Sequence, residues 1–409
     1  MLLSARETAE FLGIKLDTLY AYVSRGLLTS VEIADSRERH YDAEDIERFR
    51  AERGARGRRV PEALMPVIAS AICLIENHRL YYRGRDALQL SQTASLEEVA
   101  AILWDTGASP QVPTQPLRGQ SPSPAGEGSN VLACSLPGGR ARVEVGPGNV
   151  FERCQMRLAE LAAVDLAALD LTRPGVVRTG GLILGELAAV LGDGEPSQLP
   201  VHRQLAEAWC LGESAGDLVR RCLVLLADHE LNASTFVARC IASTGATPYA
   251  VVSGALAALS GRRHGGASAR VEALCRELAA GADPMTVMAA RLARDEELPG
   301  MGQPLYPDGD PRAAAILAAA CVATPDKARW VGAVTQAATQ LSGQRPNVDF
   351  ALGLATVLLD LPPGSAVGMF LMARTVGWLA HAMEQYESGV LIRPRARYSG
   401  QRPIPLSGA

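Results

Sequence analysis

The sequence predicts an all-α fold, with a small helix–turn–helix head before a large helical body. Aromatic residues make up only 5% of the chain while hydrophobic residues make up 48%, so the core is mostly aliphatic, and an Ala/Leu-rich core favours helices. Helical patterns dominate from Val150 onward and are interrupted at glycines and prolines. With 409 residues, the chain is long enough for two or three domains.

The head is expected over residues 1–53. Ser4 and Glu7 have the spacing of a capping box, which opens a first helix that runs to Leu12. Asp17 is then expected to cap a second helix over Thr18–Ser24. Two helices joined by so short a turn are typical of a helix–turn–helix motif.

The rest of the head and its connection are expected to be short elements. A β-wing is predicted over Val31–Tyr41 and a third helix over Asp42–Arg53. An Arg/Gly-rich linker over 54–62 follows, and a long exposed loop is predicted later, over Asp105–Asn149, with a short β-ribbon at Ala141–Val145.

Glycine and proline divide the body into helices, because these residues disfavour helix interiors. The predicted breaks lie at Pro174-Gly175, Gly192–Pro200, Gly245–Pro248, Gly261, Pro299–Pro311, Pro346 and Pro362-Pro363.

The overall charge excludes a general nucleic-acid binder and a polybasic membrane protein. Forty Lys and Arg residues face 44 Asp and Glu residues, for a net charge of −4. Lys15 and Lys327 are the only lysines, so an anion site must be built from arginine.

The eight cysteines include no CxxC pair, and we expect no metal site. The longest apolar runs, such as Ala313–Ala323, are shorter than the ~18 residues needed to span a bilayer. With no visible signal peptide, we expect a soluble cytoplasmic protein without membrane association.

Two histidines stand out among six. His229 lies in a segment that runs from Ala227 to Phe236, and His264 is followed by two glycines, which leave its ring approachable. Either histidine alone is more often structural than catalytic. Four later segments carry further polar residues: Pro299-Gly300-Met301-Gly302, Asp310-Pro311-Arg312, Pro346-Asn347-Val348-Asp349-Phe350 and Ala373-Arg374-Thr375-Val376-Gly377-Trp378.

The head resembles the MerR/excisionase winged-helix family over about 55 residues. The resemblance is carried by Leu3-Ser4-Ala5, Leu12-Gly13-Ile14, Thr18-Leu19-Tyr20, Gly26-Leu27 and Arg39-His40-Tyr41. In that family the second helix enters the major groove of DNA. Eleven basic and eleven acidic residues through Arg59 leave this head neutral, however, so we expect no tight DNA binding at physiological salt. A docking or oligomerisation module is the other interpretation.

The body, from about Ala63 to Gly400, resembles the citrate synthase family. The motifs occur in the family's order, from Tyr82-Arg83-Gly84 to Arg393-Pro394-Arg395. The resemblance implies a large domain over 63–265 and 350–409, a small mobile domain over 266–349, and a homodimer. It also implies condensation of an acyl-CoA, usually acetyl-CoA, with a 2-oxo dicarboxylate, usually oxaloacetate, followed by thioester hydrolysis. No cofactor is implied beyond the CoA thioester, which is a substrate.

The resemblance also assigns roles to residues. Asp349 would be the general base, and His264 would donate a hydrogen bond to the enolate oxygen. The dicarboxylate would be held by His229, Arg312 and Arg374, with Arg393 reaching in from the other subunit. Arginine suits this task because its guanidinium binds carboxylates through two parallel hydrogen bonds. The turn Pro299-Gly300-Met301-Gly302 would contact CoA, with Arg262 and Arg263 as the nearest cations.

One departure from the family pattern bears on activity. The family's Gly-rich turn normally ends in a histidine that polarises the ketone, and this chain has Gln303 there. An amide can donate a hydrogen bond but cannot become a cation. Two interpretations therefore stay open: an enzyme of reduced or altered activity using acetyl-CoA or propionyl-CoA, or a catalytically weak CoA- and dicarboxylate-binding regulator that acts through its head.

Overall fold

The computed structural model describes residues 2–12, 14, 16–24, 28, 30, 40–42, 46, 68–107, 109–110, 149–396 and 400. The chain divides into two compact units, Met1–Ala69 and Ser70–Ala409. The predicted linker over 54–62 and the predicted ribbon at Ala141–Val145 lie outside the described residues. The division of the body into a large domain and a small mobile domain stays a prediction.

The first unit is a pair of short helices beside a two-stranded sheet. Its elements are β1 (Leu2–Ser4), α1 (Ala5–Leu12), α2 (Leu16–Ser24) and β2 (His40–Asp42). The capping box is confirmed, because the Glu7 carboxylate accepts from the Ser4 amide at 2.8 Å while the Ser4 hydroxyl accepts from the Glu7 amide at 3.3 Å. The small core consists of Ala9, Leu19, Leu28, Tyr41 and Ile46.

Two boundaries in this unit differ from the sequence prediction. α2 begins at Leu16, so Asp17 lies inside the helix and is not its N-cap. The Ile14 amide donates to the Ala9 carbonyl at 2.9 Å, which closes the end of α1 two residues before α2 begins. Asp42 lies in β2, paired with Leu2, so a third helix cannot begin there. The rest of that predicted helix, apart from buried Ile46, and of the predicted wing lies outside the described residues.

The second unit is built almost entirely from helices. They are α3 (Ala87–Thr93), α4 (Leu96–Leu103), α5 (Val150–Val164), α6 (Arg173–Gly192), α7 (Val201–Ala208), α8 (Glu213–Leu226), α9 (Ala233–Ala242), α10 (Pro248–Leu259), α11 (Gly266–Ala279), α12 (Pro284–Ala293), α13 (Pro311–Ala323), α14 (Ala328–Ser342), α15 (Val348–Leu358) and α16 (Ser365–Ser388), with 3₁₀ turns at Leu166–Leu169 and Pro325–Lys327. This confirms the all-α prediction.

A small antiparallel sheet precedes the helices of this unit and was not predicted. It has the order β3 (Cys73–Glu76), β4 (Arg79–Tyr82) and β5 (Arg85–Asp86). Its strands are too short to give a clear alternating pattern in the sequence. The sheet is anchored to the helices by Tyr82, whose hydroxyl donates to the Val224 carbonyl at 3.0 Å.

The predicted breaks fall between helices or in their first turns. Proline occupies the first turn of α6, α10, α12 and α13, where its missing amide hydrogen costs nothing. Pro174, for example, starts a helix rather than interrupting one, and Thr172 caps the same helix with its hydroxyl. Polar caps therefore set where the loops between helices end.

The longest helix, α16, is the centre of the core. It is buried over nearly its whole length, as expected for a helix that is apolar on all faces. α6 and α16 are each long and apolar enough to cross a membrane, contrary to the expectation from unbroken apolar runs. That expectation missed them because each run is interrupted by single polar residues. In the structure the most apolar 18-residue stretch is 67% buried in α6 and 100% buried in α16, as expected for core helices.

Close packing of α15 on α11 brings the start of each helix to the same region. Gly353 makes this possible, since a Cβ there would lie 2.6 Å from Val271 Cγ1 and 3.1 Å from the Glu272 amide nitrogen. Four of the residues that the sequence singles out lie at these positions or nearby: His264 just before α11, Arg312 at the start of α13, Asp349 at the start of α15 and Arg374 in the middle of α16.

Two glycine variants test this packing. Gly353→Ala should destabilise the fold by about 1–3 kcal/mol, because the added methyl group overpacks the α11–α15 contact. Gly332→Ala is the matched control, since it lies within α14 with open space around its Cα; it should stabilise by about 0.5–1 kcal/mol through helix propensity. Urea unfolding of both variants measures the difference, and equal effects would contradict the close approach.

Candidate active site

A buried guanidinium lies at the centre of the site. Arg374 on α16 is 1% exposed, and its Nε donates to the Leu226 carbonyl at 2.9 Å. Its Nη1 is buried without a hydrogen-bond partner among the described residues. The guanidinium carbon lies 4.9 Å from the centre of the Phe370 ring. Burial lowers the pKa of Arg374. A cation with an unused donor in the interior favours an anion.

A second buried guanidinium forms an ion pair with a buried carboxylate. Arg312, in the first turn of α13, donates to Asp310 through Nε at 3.0 Å and through Nη2 at 2.7 Å, and both side chains are buried. Asp310 also accepts from the Val348 amide at 3.1 Å, which fixes the start of α15. Although burial opposes the charge, Asp310 raises the pKa of Arg312 above its usual value. This pair holds two helix starts together.

His229 lies beside both cations. Its Nε2 is 3.0 Å from the Tyr306 hydroxyl, and the Arg312 guanidinium lies 5.4 Å from the centre of the Tyr306 ring. Burial and then the charges of Arg312 and Arg374 lower the pKa of His229 well below its usual value. The imidazole is therefore neutral at neutral pH and can serve as a hydrogen-bond donor or acceptor.

His264 lies at the entrance to α11 and is also neutral. Its Nε2 is 2.8 Å from the Ser234 hydroxyl, which in turn accepts from Trp378 Nε1 at 3.2 Å. Its ring meets Phe370 edge-on, with centroids 6.0 Å apart. Burial, with a smaller contribution from Arg374, lowers the pKa of His264 to about 4. The Ser234 hydroxyl also donates to Asn232 Oδ1 at 2.8 Å, so it links the ring of His264 to the start of α9.

Asp349 lies in the first turn of α15 but does not cap it. Asn347 is the cap, since its side-chain oxygen Oδ1 accepts from the Asp349 amide at 3.0 Å and the Phe350 amide at 3.4 Å. The Asp349 carboxylate is left to accept a short hydrogen bond from the Ser268 hydroxyl on α11. Burial raises the pKa of Asp349, and the Ser268 bond and the charge of Arg312 oppose that rise.

The Gly-rich turn lies directly against the segment before Asp349. The Gly300 carbonyl accepts from the Asn347 amide at 2.9 Å, and the Gly302 amide donates to the Arg345 carbonyl at 2.8 Å. Gly300 has φ +81°, and a Cβ there would lie 2.9 Å from Phe350 Cβ, so only glycine fits. The candidate CoA-binding residues Pro299, Gly300, Met301 and Gly302 are thus adjacent to the candidate base.

Gln303 follows the turn and is partly exposed. Its amide oxygen accepts from the Leu305 amide at 3.4 Å, within its own loop. Its amide nitrogen donates to no described residue, which leaves it available to a ligand.

Three of the sequence-predicted residues are not part of the buried cluster. Arg262 and Arg263 are exposed in the turn before α11. Arg393 is exposed in the extended segment after α16, and it is not among the charges that shift the pKa values of the clustered histidines. The positive charge of Arg374 contributes to lowering the pKa values of three of the remaining residues, His229, His264 and Asp349.

Residues that sequence reasoning did not place in the site complete it. The site roles of Ser234, Ser268, Asp310 and Tyr306 depend on tertiary contacts. For Asp310 a local signal exists, because an Asp two residues before an Arg at a helix start can pair with it. For Ser234 and Ser268 no local sequence pattern indicates a role in the site.

A buried hydrogen-bond chain supports the segment that carries His229. Arg239 donates to His381 Nδ1 at 3.1 Å, because a guanidinium has no acceptor. In the neutral ring, His381 Nε2 then carries the hydrogen and faces Asp228 at 3.4 Å. Asp228 immediately precedes His229, and the adjacent Ala227 carbonyl accepts from the Gly377 amide at 3.1 Å on α16. This chain fixes the backbone at His229.

The cluster combines two buried cations, two neutral imidazoles and a carboxylate at the start of a helix. Such a set can bind an anion with more than one carboxylate, remove a proton and donate hydrogen bonds to a developing oxyanion. A family model described as the C-terminal domain of citrate synthase matches residues 187–395. The chain belongs to the citrate synthase family.

Relatives of known name agree with this assignment. The chain is 31% identical over 353 residues to citrate synthase of Mycolicibacterium smegmatis, covering 80% of this chain and 90% of that protein. It is 28% identical over 361 residues to 2-methylcitrate synthase 1 of Corynebacterium glutamicum, covering 81% and 93%. The function is therefore of the citrate synthase and 2-methylcitrate synthase type.

Solved structures show the same fold. Citrate synthase from Thermotoga maritima aligns with a TM-score of 0.63 at 23% identity, covering 85% of this chain and 97% of that one. Citrate synthase from Thermoplasma acidophilum, solved as a ternary complex with carboxymethyl coenzyme A and oxaloacetate, aligns with a TM-score of 0.63 at 19% identity, covering 85% and 99%.

The head has its own match. A model of MerR helix–turn–helix regulatory proteins matches residues 3–61. The described part of that segment contains both helices of the motif, α1 and α2.

Removal of the Asp310 charge tests the paired guanidinium. Asp310→Asn should destabilise the fold by about 3–5 kcal/mol, because it leaves the charge of Arg312 buried without compensation. Asp308→Asn is the matched control. The Asp308 carboxylate is 87% exposed, and its one ion-pair partner among the described residues, His78 Nε2, is 3.8 Å away, so the pair is weak. The effect of Asp308→Asn should therefore be within about 0.5 kcal/mol. Urea unfolding distinguishes them, and a small effect at Asp310 would mean that Arg312 is hydrated.

Proposed function

We propose that this protein condenses a short acyl-CoA, acetyl-CoA or propionyl-CoA, with oxaloacetate and then hydrolyses the thioester. The observation that carries the proposal is the convergence of His229, His264 and Asp349 on Arg374. The ternary complex of the Thermoplasma enzyme supports the choice of substrates. Release of thiol from CoA in the presence of oxaloacetate is the direct assay.

Oxaloacetate is assigned to the two buried arginines. The free Nη1 of Arg374 would bind one carboxylate, and Arg312 would bind the other with the donors that Asp310 leaves open. His229, neutral and 3.0 Å from Tyr306, would donate to the substrate without adding a charge. Gln303 would point its NH₂ group at the ketone oxygen.

The proton transfer is assigned to Asp349 and His264. Asp349 would remove a proton from the carbon next to the thioester carbonyl, and burial gives its carboxylate the raised pKa that suits a base for a weak carbon acid. His264 would donate to the enolate oxygen, and its ring is oriented by the Ser234 hydroxyl, which lies 2.8 Å from Nε2. Charge develops on that oxygen only in the transition state, so a fixed neutral donor lowers the barrier.

CoA is assigned to the Gly-rich turn next to Asp349. Its phosphates need cations, and Arg262, Arg263 and Arg345 are exposed and form no ion pair with any described residue. The reaction needs no cofactor beyond the two substrates. Acetyl and propionyl donors differ by one methylene, worth only ~1–3 kcal/mol in a pocket, and a thiol-release assay with both donors compares them.

Loss of the base should separate chemistry from binding. Asp349→Asn should lower kcat by about 10²–10⁴, because the amide cannot accept the proton, while oxaloacetate affinity stays within about threefold since Asp349 acts on the acyl donor. Thiol release and calorimetry measure the two effects. Retained turnover in the variant would contradict the assignment of Asp349 as base.

Replacement of Gln303 tests the departure from the family pattern. Gln303→His should raise kcat with oxaloacetate by about tenfold, because an imidazolium polarises the ketone better than an amide. Gln303→Ala should lower it, as the donor is lost. If wild type releases no thiol with either donor and Gln303→His does not restore release, the enzymatic assignment is wrong.

We also propose that the active enzyme is a homodimer in which Arg393 completes the partner's site. Its exposed position in an extended segment supports this. Asp349→Asn and Arg393→Gln chains should each be nearly inactive alone, yet an equal mixture should regain about one quarter of wild-type activity, since half the dimers contain one intact site. If Arg393 acts in its own subunit, mixing restores nothing.

A second candidate function is favoured by the MerR-type match and by Gln303. The body would then bind CoA and a dicarboxylate without turnover, and the head would regulate transcription or assembly in the cytoplasm. This candidate expects dicarboxylate binding without thiol release. Since the head carries eleven basic and eleven acidic residues through Arg59, we expect no nanomolar gel shift with DNA at ~150 mM salt.

A further inference from the structure

Ser268 is a buried hydroxyl in contact with the candidate base. It lies in the first turn of α11, is fully buried, and donates a short hydrogen bond to Oδ1 of Asp349. It follows His264 by four residues, which is about one helical turn. One helix start therefore carries both the candidate enolate donor and a partner of the base.

The contact is not explained by helix capping or by charge pairing. Asn347 already caps α15, and Ser268 is the sole side-chain donor to Asp349 within the part of the chain that the structure describes. The charged groups that act on Asp349 from neighbouring elements are Arg312 and Asp310 on the α13 side and Arg374 on α16. On α11 itself, the next ionisable side chain on that face is Glu272, which is bonded to Arg276 and to the Gly364 amide.

We propose that Ser268 is a positioning residue, whose hydroxyl holds one oxygen of Asp349 so that the other oxygen faces the acyl donor. The inference rests on the proposed function of the site. Oδ2 takes the proton from the carbon next to the thioester carbonyl, the electron pair of that C–H bond becomes the enolate, and the Ser268 proton stays on its own oxygen. Because the hydrogen bond joins α15 to α11, it also fixes the base relative to His264.

The hydroxyl also favours the charged form of the base. A hydrogen bond donated to a carboxylate stabilises the ionised state and lowers its pKa, opposing the effect of burial. A general base works only when deprotonated, so activity falls as the pH drops through that pKa. Loss of the Ser268 hydroxyl should therefore move the acidic limb of the pH profile to higher pH.

Three variants test the inference. Ser268→Ala should shift the acidic limb of kcat/KM for the acyl-CoA upward by about one pH unit, since a hydrogen bond to a charged group is commonly worth that much. The KM for oxaloacetate should stay within about twofold. Ser268→Thr, which keeps the hydroxyl, should restore the wild-type limb. Ser91→Ala is the control, since Ser91 is also buried but donates to the Leu88 carbonyl; its profile should match wild type.

A purely structural role predicts something different. In that case Ser268→Ala lowers kcat equally at every pH without shifting the limb, and this result overturns the inference. So does an unchanged limb with unchanged kcat.

A readout independent of turnover separates this inference from the proposed function. Titration of ¹³C-carboxyl-labelled aspartates by NMR, with Asp349→Asn to assign the signal, gives the pKa of Asp349 directly. A higher pKa in Ser268→Ala supports the contact even if wild type releases no thiol, in which case only the proposed function fails. An equal pKa in both proteins overturns the role of Ser268, and it does so even if Ser268→Thr does not fold.

Discussion

Two arginines buried in one interior are the constraint on which the rest of the site depends. An isolated charge in a low-dielectric interior costs several kcal/mol unless it is paired and hydrogen-bonded. The fold satisfies Arg312 with Asp310, and it satisfies Arg374 only in part, through the Leu226 carbonyl. The interior thus holds one cation paired with a carboxylate and one that forms no ion pair with a described residue. A buried cation without an ion pair favours binding of an anion, as the proposed function requires.

The Asp310–Arg312 pair also places the proposed base, Asp349. Asp310 accepts from Arg312 and from the Val348 amide, so the start of α15 cannot move without exposing a buried charge. Asn347, one residue earlier, caps that helix and bonds the Gly-rich turn at Gly302. Asp349 is therefore held by its backbone on one side, and its carboxylate remains free for Ser268. Positioning by rigid helix starts rather than by a mobile loop suits a reaction that depends on orientation.

The sequence predicts the fold well where local chemistry decides it. The capping box of Ser4 and Glu7 and the breaks at prolines and glycines depend on neighbouring residues, and the structure confirms them. Strands β3 to β5 depend on pairing over two to four residues, so no pattern reveals them. Asp17 was misplaced because α2 begins one residue before it, at Leu16. The order of the motifs predicts the clustered residues. The role of Ser268 cannot be predicted in this way, because its contact with Asp349 depends on the packing of α11 on α15.

The protonation states of the cluster follow from the same two cations. Burial and the arginines keep His229 and His264 neutral, so neither can supply a proton as an imidazolium before substrate binds. Asp349 experiences the opposite balance, since burial raises its pKa while Ser268, Arg312 and Arg374 oppose that rise. A dianionic substrate between the arginines would screen their charge and so weaken that opposition. The Ser268 bond, which does not depend on the arginines, would then be the contribution that keeps the carboxylate ionised when the site is full.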